Sequence, residues 1–164
     1  MRDSEFQVRP ATPADVSALL EMIRALAEFE KLTNLCITTE PDLTEALFGP
    51  RPAAEAMIAS LGDEVAGFAL FCHTFSTFLG RRSLWLEDLF VEPRFRGRGC
   101  ARSLLRALAS LALERGCGRF EWAVLDWNHQ AIDFYRSLDA TVLPDWRIVR
   151  VVGPALKRLA GEPQ

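Results

Sequence analysis

Two short stretches of this chain hold residue types whose spacing could do chemistry. The first is Glu92-Pro93-Arg94-Phe95-Arg96-Gly97-Arg98-Gly99-Cys100-Ala101, which joins the apolar run Leu84–Val91 to the amphipathic run Arg102-Ser103-Leu104-Leu105-Arg106. It reads as a strand, a turn rich in glycine and arginine, and the start of a helix. Glycine removes the Cβ that would block close approach of a backbone, and the first amides of a helix have no intrahelical acceptor. Those amides point out along the positive end of the helix dipole, so an anion is their natural partner. The expectation is a site for a pyrophosphate-containing cofactor. Arg94, Arg96, Arg98, Arg102 and Arg106 fall within 13 residues, which a solvated helix face would also explain. Glycines between the arginines favour a discrete phosphate site over a diffuse patch.

The second stretch is Asp126-Trp127-Asn128-His129-Gln130-Ala131-Ile132-Asp133-Phe134-Tyr135. Seven helical residues turn through about 700°, which puts Asn128 and Tyr135 on one face within roughly 20° of each other. Ala131 lies near them with a side chain small enough to let a ligand pass. Plainer readings stand beside these: Asn128 as a helix N-cap, and Tyr135, the only tyrosine, as a core aromatic with a satisfied hydroxyl.

A strand, glycine turn and helix also describe dinucleotide-binding and triphosphate-binding folds. The dinucleotide pattern needs a third glycine where Arg102 stands, although Glu121 falls about 20 residues on, where a ribose-binding acid would sit. The triphosphate loop ends in Gly-Lys-Ser/Thr, a sequence this chain lacks.

These stretches need elements to position them. Phe6–Arg9 reads as a first strand. Thr12 is a helix N-cap with Pro13 at the first helical position and Asp15 at the third, and Val16, Leu19, Leu20, Ile23, Leu26 and Ala27 carry a first helix to about Glu30. A second helix opens at Thr39 and runs toward Phe48. Strands follow at Ala54–Leu61 and Val65–Phe75 around a Gly62-Asp63-Glu64 turn, then at Leu84–Val91. A third helix spans Gly97 to Arg115, and Phe120–Leu125 is a fifth strand. Asn128–Leu138 is a fourth helix, and Trp146–Val152 a last strand. The fold class is α/β, one domain over residues 1–164. Its mixed sheet is antiparallel early, has a parallel crossover between strands four and five, and is flanked by about four helices.

With 164 residues the chain is long enough for one core. No apolar run reaches the roughly 18 residues that would span a bilayer, and Met1–Glu5 lacks the apolar core of a signal peptide, which points to the cytoplasm. Cys36, Cys72, Cys100 and Cys117 show no Cys-x-x-Cys spacing and are accompanied only by His73 and His129. They read as reduced buried thiols, with no metal site. A net charge of −3 argues against a general nucleic-acid binder.

Together the two chemical stretches resemble the GNAT superfamily of acetyl-CoA-dependent N-acetyltransferases. Its cofactor motif, Gln/Arg-x-x-Gly-x-Gly/Ala, is matched by Arg96-Gly97-Arg98-Gly99-Cys100-Ala101, and its later Asn-x-x-Ala-x-x-x-Tyr segment by Asn128, Ala131 and Tyr135. The resemblance extends to the spermidine/spermine and thialysine acetyltransferase branch. It does so through Val8-Arg9-Pro10-Ala11-Thr12, Thr77-Phe78-Leu79-Gly80, Leu86–Val91 and Trp127-Asn128.

The resemblance implies direct transfer of acetyl from CoA to the primary amine of a small molecule. It implies that the amides of Arg98, Gly99, Cys100 and Ala101, with Arg96, hold the pyrophosphate. Phe90 and Val91 would pair with the pantetheine amides, and Asn128 would bind the same arm. Glu87 would take the ammonium proton through water, and Tyr135 would protonate the departing thiolate. Asp88, alternating to the other strand face, would be structural or an amine-binding anion, while Glu28 and Glu30 would line the amine tunnel. A helix N-terminus would lower the thiol pKa of Cys100, yet the family uses that position for backbone contacts. Homodimerisation through Val142–Val152 is implied as well. A protein-lysine acetyltransferase and a non-catalytic CoA-binding module remain alternatives at this point.

Overall fold

The computed structural model describes residues 5–162, so Met1–Ser4 of the N-terminal run lie outside the described residues. Two compact units divide the chain, Met1–Ala123 and Val124–Gln164. The first contains β1 (Gln7–Pro10), α1 (Val16–Phe29), α2 (Glu40–Phe48), β2 (Glu55–Leu61), β3 (Glu64–Ser76), β4 (Arg81–Val91), α3 (Cys100–Glu114) and β5 (Arg119–Trp122). Its sheet has the order β1-β2-β3-β4-β5. The pairs from β1 to β4 are antiparallel, and β4 pairs with β5 in parallel. The expected mixed sheet is therefore present, and its one parallel pair follows from the α3 crossover that joins β4 to β5.

Local chemistry sets the entry into α1. Thr12 precedes a short 3-10 turn, Pro13–Asp15, that leads into the helix. The buried Asp15 carboxylate accepts from the Thr12 N–H at 2.7 Å and the Thr12 hydroxyl at 3.0 Å. It also takes both Nη1 and Nη2 of Arg9, at 2.7 and 2.8 Å. The Arg9 hydrogen bonds are the main reason its pKa falls to about 2. The ionised form is the one the fold favours, so this stabilisation is complete above the unfolded value near 4 and is lost as pH falls toward 2. Asp15→Asn should therefore cost about 2 kcal/mol at pH 7, with the gap to the native chain closing below pH 3 in urea titrations.

Strand alternation sorts the core between two faces of the sheet. Val16, Leu19, Leu20 and Met22 of α1 and Leu43 and Leu47 of α2 cluster with Ala56, Ile58, Phe68 and Phe90. Ala69, Phe71, Leu84 and Leu86 are equally buried but alternate to the other side, where Leu104, Leu105, Leu108 and Ala112 of α3 are also buried. The expected apolar stripe of the third helix is thus the stripe that packs.

The second unit holds α4 (His129–Arg136) and α5 (Gly153–Leu159). Here the expectations need correction. Trp146–Val152 forms no strand, and the described sheet ends at β5. Trp146 is 76% and Val149 89% exposed. Ile and Val favour strands because they pack well on a pleated, half-buried surface, and no described strand offers this run one. The helix α5 was not foreseen, and the fifth strand stops at Trp122 rather than Leu125.

Candidate active site

The centre of the site is an irregularity in β4. Leu70 pairs with Asp88 and the next residue, Phe71, pairs with Leu86, so Glu87 is an extra residue with no partner across the strand. Such a bulge re-aims side chains by breaking the alternation. Asp88 shares a face with Leu70, which packs against the α1–α2 cluster. Glu87 accepts from the Trp85 indole Nε1–H at 2.9 Å, and Trp85 pairs with Cys72, whose thiol pKa is raised by burial and by the Glu87 charge. The expectation that Asp88 alternates away from Glu87 is therefore overturned. Burial first, then the charges of Glu87 and Glu30, push Asp88 up to about 6. Burial also raises the pKa of Glu30, the residue that caps the C-terminus of α1.

Glu30, Glu87 and Asp88 thus form one electrostatic neighbourhood, built from the end of a helix and the bulge of a strand. Glu28 does not belong to it. That residue lines an open groove with Glu21, Arg24, Thr33 and Cys36. The helical offset between positions 28 and 30 accounts for the separation.

Beyond the bulge the sheet parts. Pairing of β4 with β5 runs from Ser83–Arg119 to Leu86–Trp122 and stops there. From Asp88 to Val91, β4 keeps its β3 partners only. The edge that carries Phe90 and Val91 is open to a ligand able to pair as a strand does.

The turn after β4 meets the stereochemical demand read from its glycines. Gly97 and Gly99 adopt φ +73 and +94, where L side chains are strained, and no atom lies within 4 Å of where their Cβ atoms would be. The Ser103 N–H donates to Gly99 O at 3.0 Å, so the Cys100, Ala101 and Arg102 amides precede the first α3 hydrogen bond. A 15-residue helix with open space before its first amides suits a pyrophosphate.

The arginines are not a loose cationic fringe. Arg94 pairs with Glu64 at 2.8 Å, and Arg98 reaches Glu5 at 3.4 Å and lies over the rings of Phe6 and Phe95. Arg96 donates Nε to Val91 O at 2.9 Å and stacks over Phe29 and Phe90, tying the turn to both β4 and the end of α1. Cys100 is buried, and burial pushes its thiol up to about 11, opposite to the shift a helix N-terminus alone would produce. Cys36, Cys72 and Cys117 are only half-buried, a second departure from the reading of four buried thiols. Among the described residues no group of His, Cys, Asp and Glu is arranged to hold a metal ion, and no helix is long and apolar enough to cross a membrane.

In the second unit, Asn128 is the N-cap of α4 and accepts from the Ala131 N–H through Oδ1 at 3.3 Å. Its side-chain amide nitrogen is a separate donor. Tyr135 is half-buried, with its ring 5.5 Å from that of Phe134. The sequence reading missed Trp85 and Cys72. Trp85 lies two residues before Glu87, the spacing that puts strand residues on one face, so that signal was present.

The model of the Acetyltransferase (GNAT) family matches residues 20–139. The thialysine N-epsilon-acetyltransferase of Caenorhabditis elegans is 39% identical, over 96% of this chain and 98% of that protein. The thialysine N-epsilon-acetyltransferase of Sus scrofa is 36% identical, over 94% and 97%. An L-ornithine N5-acetyltransferase of Arabidopsis thaliana is 31% identical, over 93% and 87%. Among solved structures, an integron cassette protein from the mobile metagenome of V. cholerae superposes with a TM-score of 0.80 at 24% identity, covering 96% of this chain and 99% of that one. With the glycine turn, the parted strands and the bulged acidic strand in place, these likenesses settle the family: this chain is an N-acetyltransferase of the GNAT family, which uses acetyl-CoA as co-substrate, and it groups with the thialysine branch.

Proposed function

We propose that this enzyme transfers the acetyl group of acetyl-CoA directly to the side-chain amine of a small free amino acid, of which thialysine and ornithine are the chemical type. The observation that carries the reading is the bulge at Glu87, which gathers Glu87, Asp88 and Glu30 where an ammonium group would be attracted. The thialysine and ornithine acetyltransferases among its relatives support an amino acid over a polyamine. So does Lys31 directly after Glu30, since an amino acid brings a carboxylate that a polyamine lacks.

Bound acetyl-CoA supplies a thioester as the electrophile. The amides of Arg98, Gly99, Cys100 and Ala101 hold the pyrophosphate, with Arg96 fixing the turn against Val91. Phe90 and Val91 present backbone groups to the pantetheine arm, and Asn128 and Ala131 serve the same arm from α4. Glu87 takes, through water, the proton an ammonium must lose before its nitrogen can attack the carbonyl carbon. Tyr135 gives a proton to the sulfur as the carbon–sulfur bond breaks. Asp88 and Glu30 hold the amine, and Glu28 guides cations at the groove it lines.

Both units serve one acetyltransferase domain, as the family match across their boundary suggests. The apolar run Val142–Val152, with Leu143, Trp146, Ile148 and Val149 exposed, is the proposed homodimer contact. The proposed compartment is the cytoplasm, where unpaired thiols stay reduced.

The test is CoA release from acetyl-CoA with thialysine, ornithine, lysine, spermidine, putrescine and a lysine peptide. Turnover on the amino acids is expected, and Glu87→Gln should reduce kcat about 100-fold or more. Turnover on the peptide alone, or on no amine despite acetyl-CoA binding, would overturn the reading.

A further inference from the structure

Glu87 stands where a side chain is hard to hold still. It is exposed, it is the unpaired residue of a bulge, and its neighbour along the strand is the carboxyl of Asp88, not a cation. Among the described residues no Lys, Arg or His forms an ion pair with it. What holds it is the indole N–H of Trp85, 2.9 Å from Oε2.

We infer that Trp85 is a positioning residue for acetyl transfer, its indole N–H locking the Glu87 carboxylate so that Oε1 faces the water that carries the amine's proton. The inference rests on the proposed role of Glu87 as base. The indole is suited to the task in three ways. It is a donor only, so it cannot take the proton that Glu87 must receive. Its bond to a carboxylate is charge-assisted and stronger than a neutral one. Its ring is itself fixed, half-buried on β4 with Cys72 as its cross-strand neighbour, and such neighbours share a face. The Glu87 charge also helps to raise the thiol of Cys72, in keeping with a carboxylate held near this Trp85–Cys72 pair by the indole bond. A base held in this way needs no reorganisation when the amine arrives.

The experiment is a double-mutant cycle of Trp85→Phe and Glu87→Gln, with kcat and the two KM values measured on the preferred amine and thermal unfolding recorded for each protein. Trp85→Phe keeps the ring and removes the donor. It should lower kcat about 10-fold and leave KM for acetyl-CoA unchanged. In the Glu87→Gln background the same change should do nothing further, because the group it positions is gone. Trp85→Tyr, which restores a donor on a ring, should recover most of the rate and serves as the comparison should Trp85→Phe fold poorly. If the two effects multiply, or if Trp85→Tyr is as slow as Trp85→Phe, Trp85 acts only through packing and the inference falls. If Glu87→Gln alone retains the native kcat, the base assignment fails first, an outcome read from a different arm of the cycle.

Discussion

Asp88→Asn is expected to give a protein more stable than the native chain at pH 7 and much poorer at capturing its amine. The cause is the position of Asp88, half-buried beside the β4 bulge, where loss of solvent and then the charges of Glu87 and Glu30 raise its pKa to about 6. A raised carboxyl pKa means the fold disfavours the ionised form. Below about pH 4 the group is neutral in both folded and unfolded chains, and no penalty exists. As pH rises through 6 the folded group is forced to ionise, and the full cost, roughly 2–3 kcal/mol, is present at pH 7. Asparagine fills the same space without that charge. Urea unfolding should therefore show the variant ahead by about that amount at pH 7 and level with the native chain near pH 4. KM for the amine should rise about 10-fold or more, since one of the anions proposed to hold the ammonium is lost. The native enzyme should show its own rise in this KM below pH 6, where Asp88 becomes neutral. A variant no more stable at pH 7, or an unchanged KM, would remove Asp88 from the amine site.

Tyr135→Phe is expected to reduce kcat by about 10²–10⁴-fold, the usual range for a lost general acid, with little change in KM for acetyl-CoA. The ring packs beside Phe134 in α4, and phenylalanine preserves that contact, so unfolding temperature should hold. The variant removes one hydroxyl, the proposed source of the proton for the departing sulfur. An unimpaired rate, measured by single-turnover acetyl transfer, would return Tyr135 to the role of a half-buried aromatic.

Much of the fold was legible in the sequence, and two of the exceptions, the bulge and the Trp146–Val152 run, share a cause. Gly97 and Gly99 announced the turn because positive φ is a local demand that glycine meets, and both angles are positive. Thr12 and Asp15 announced the start of α1 because a cap is also local, although the first turn is 3-10. The bulge was invisible, because nothing in Leu86-Glu87-Asp88-Leu89 states which residue will lack a partner. Register belongs to the pair of strands, and only with it did Asp88 move to the Glu87 side. Trp146–Val152 failed similarly, since β propensity describes how a side chain fits a pleated surface and cannot supply the neighbouring strand. Cys100 failed on magnitude. The helix terminus and burial act in opposite directions, and burial wins.

The parting of β4 from β5 has a metric consequence. From Glu87 to Val91 the open edge is five residues long, about 16 Å at the usual rise. That is too short to recruit a stray polypeptide strand securely, and short edges are one way sheets avoid joining other chains. It is also a fixed interval, starting at the carboxylate bulge and ending at Val91, where the chain leaves the sheet toward the glycine turn. A donor held by its phosphates at the turn reaches the carboxylates only if the arm between has the right span. If the donor lies along this edge as proposed, the strand acts as a ruler, and a donor with a shorter or longer arm should be a poorer substrate whatever its headgroup.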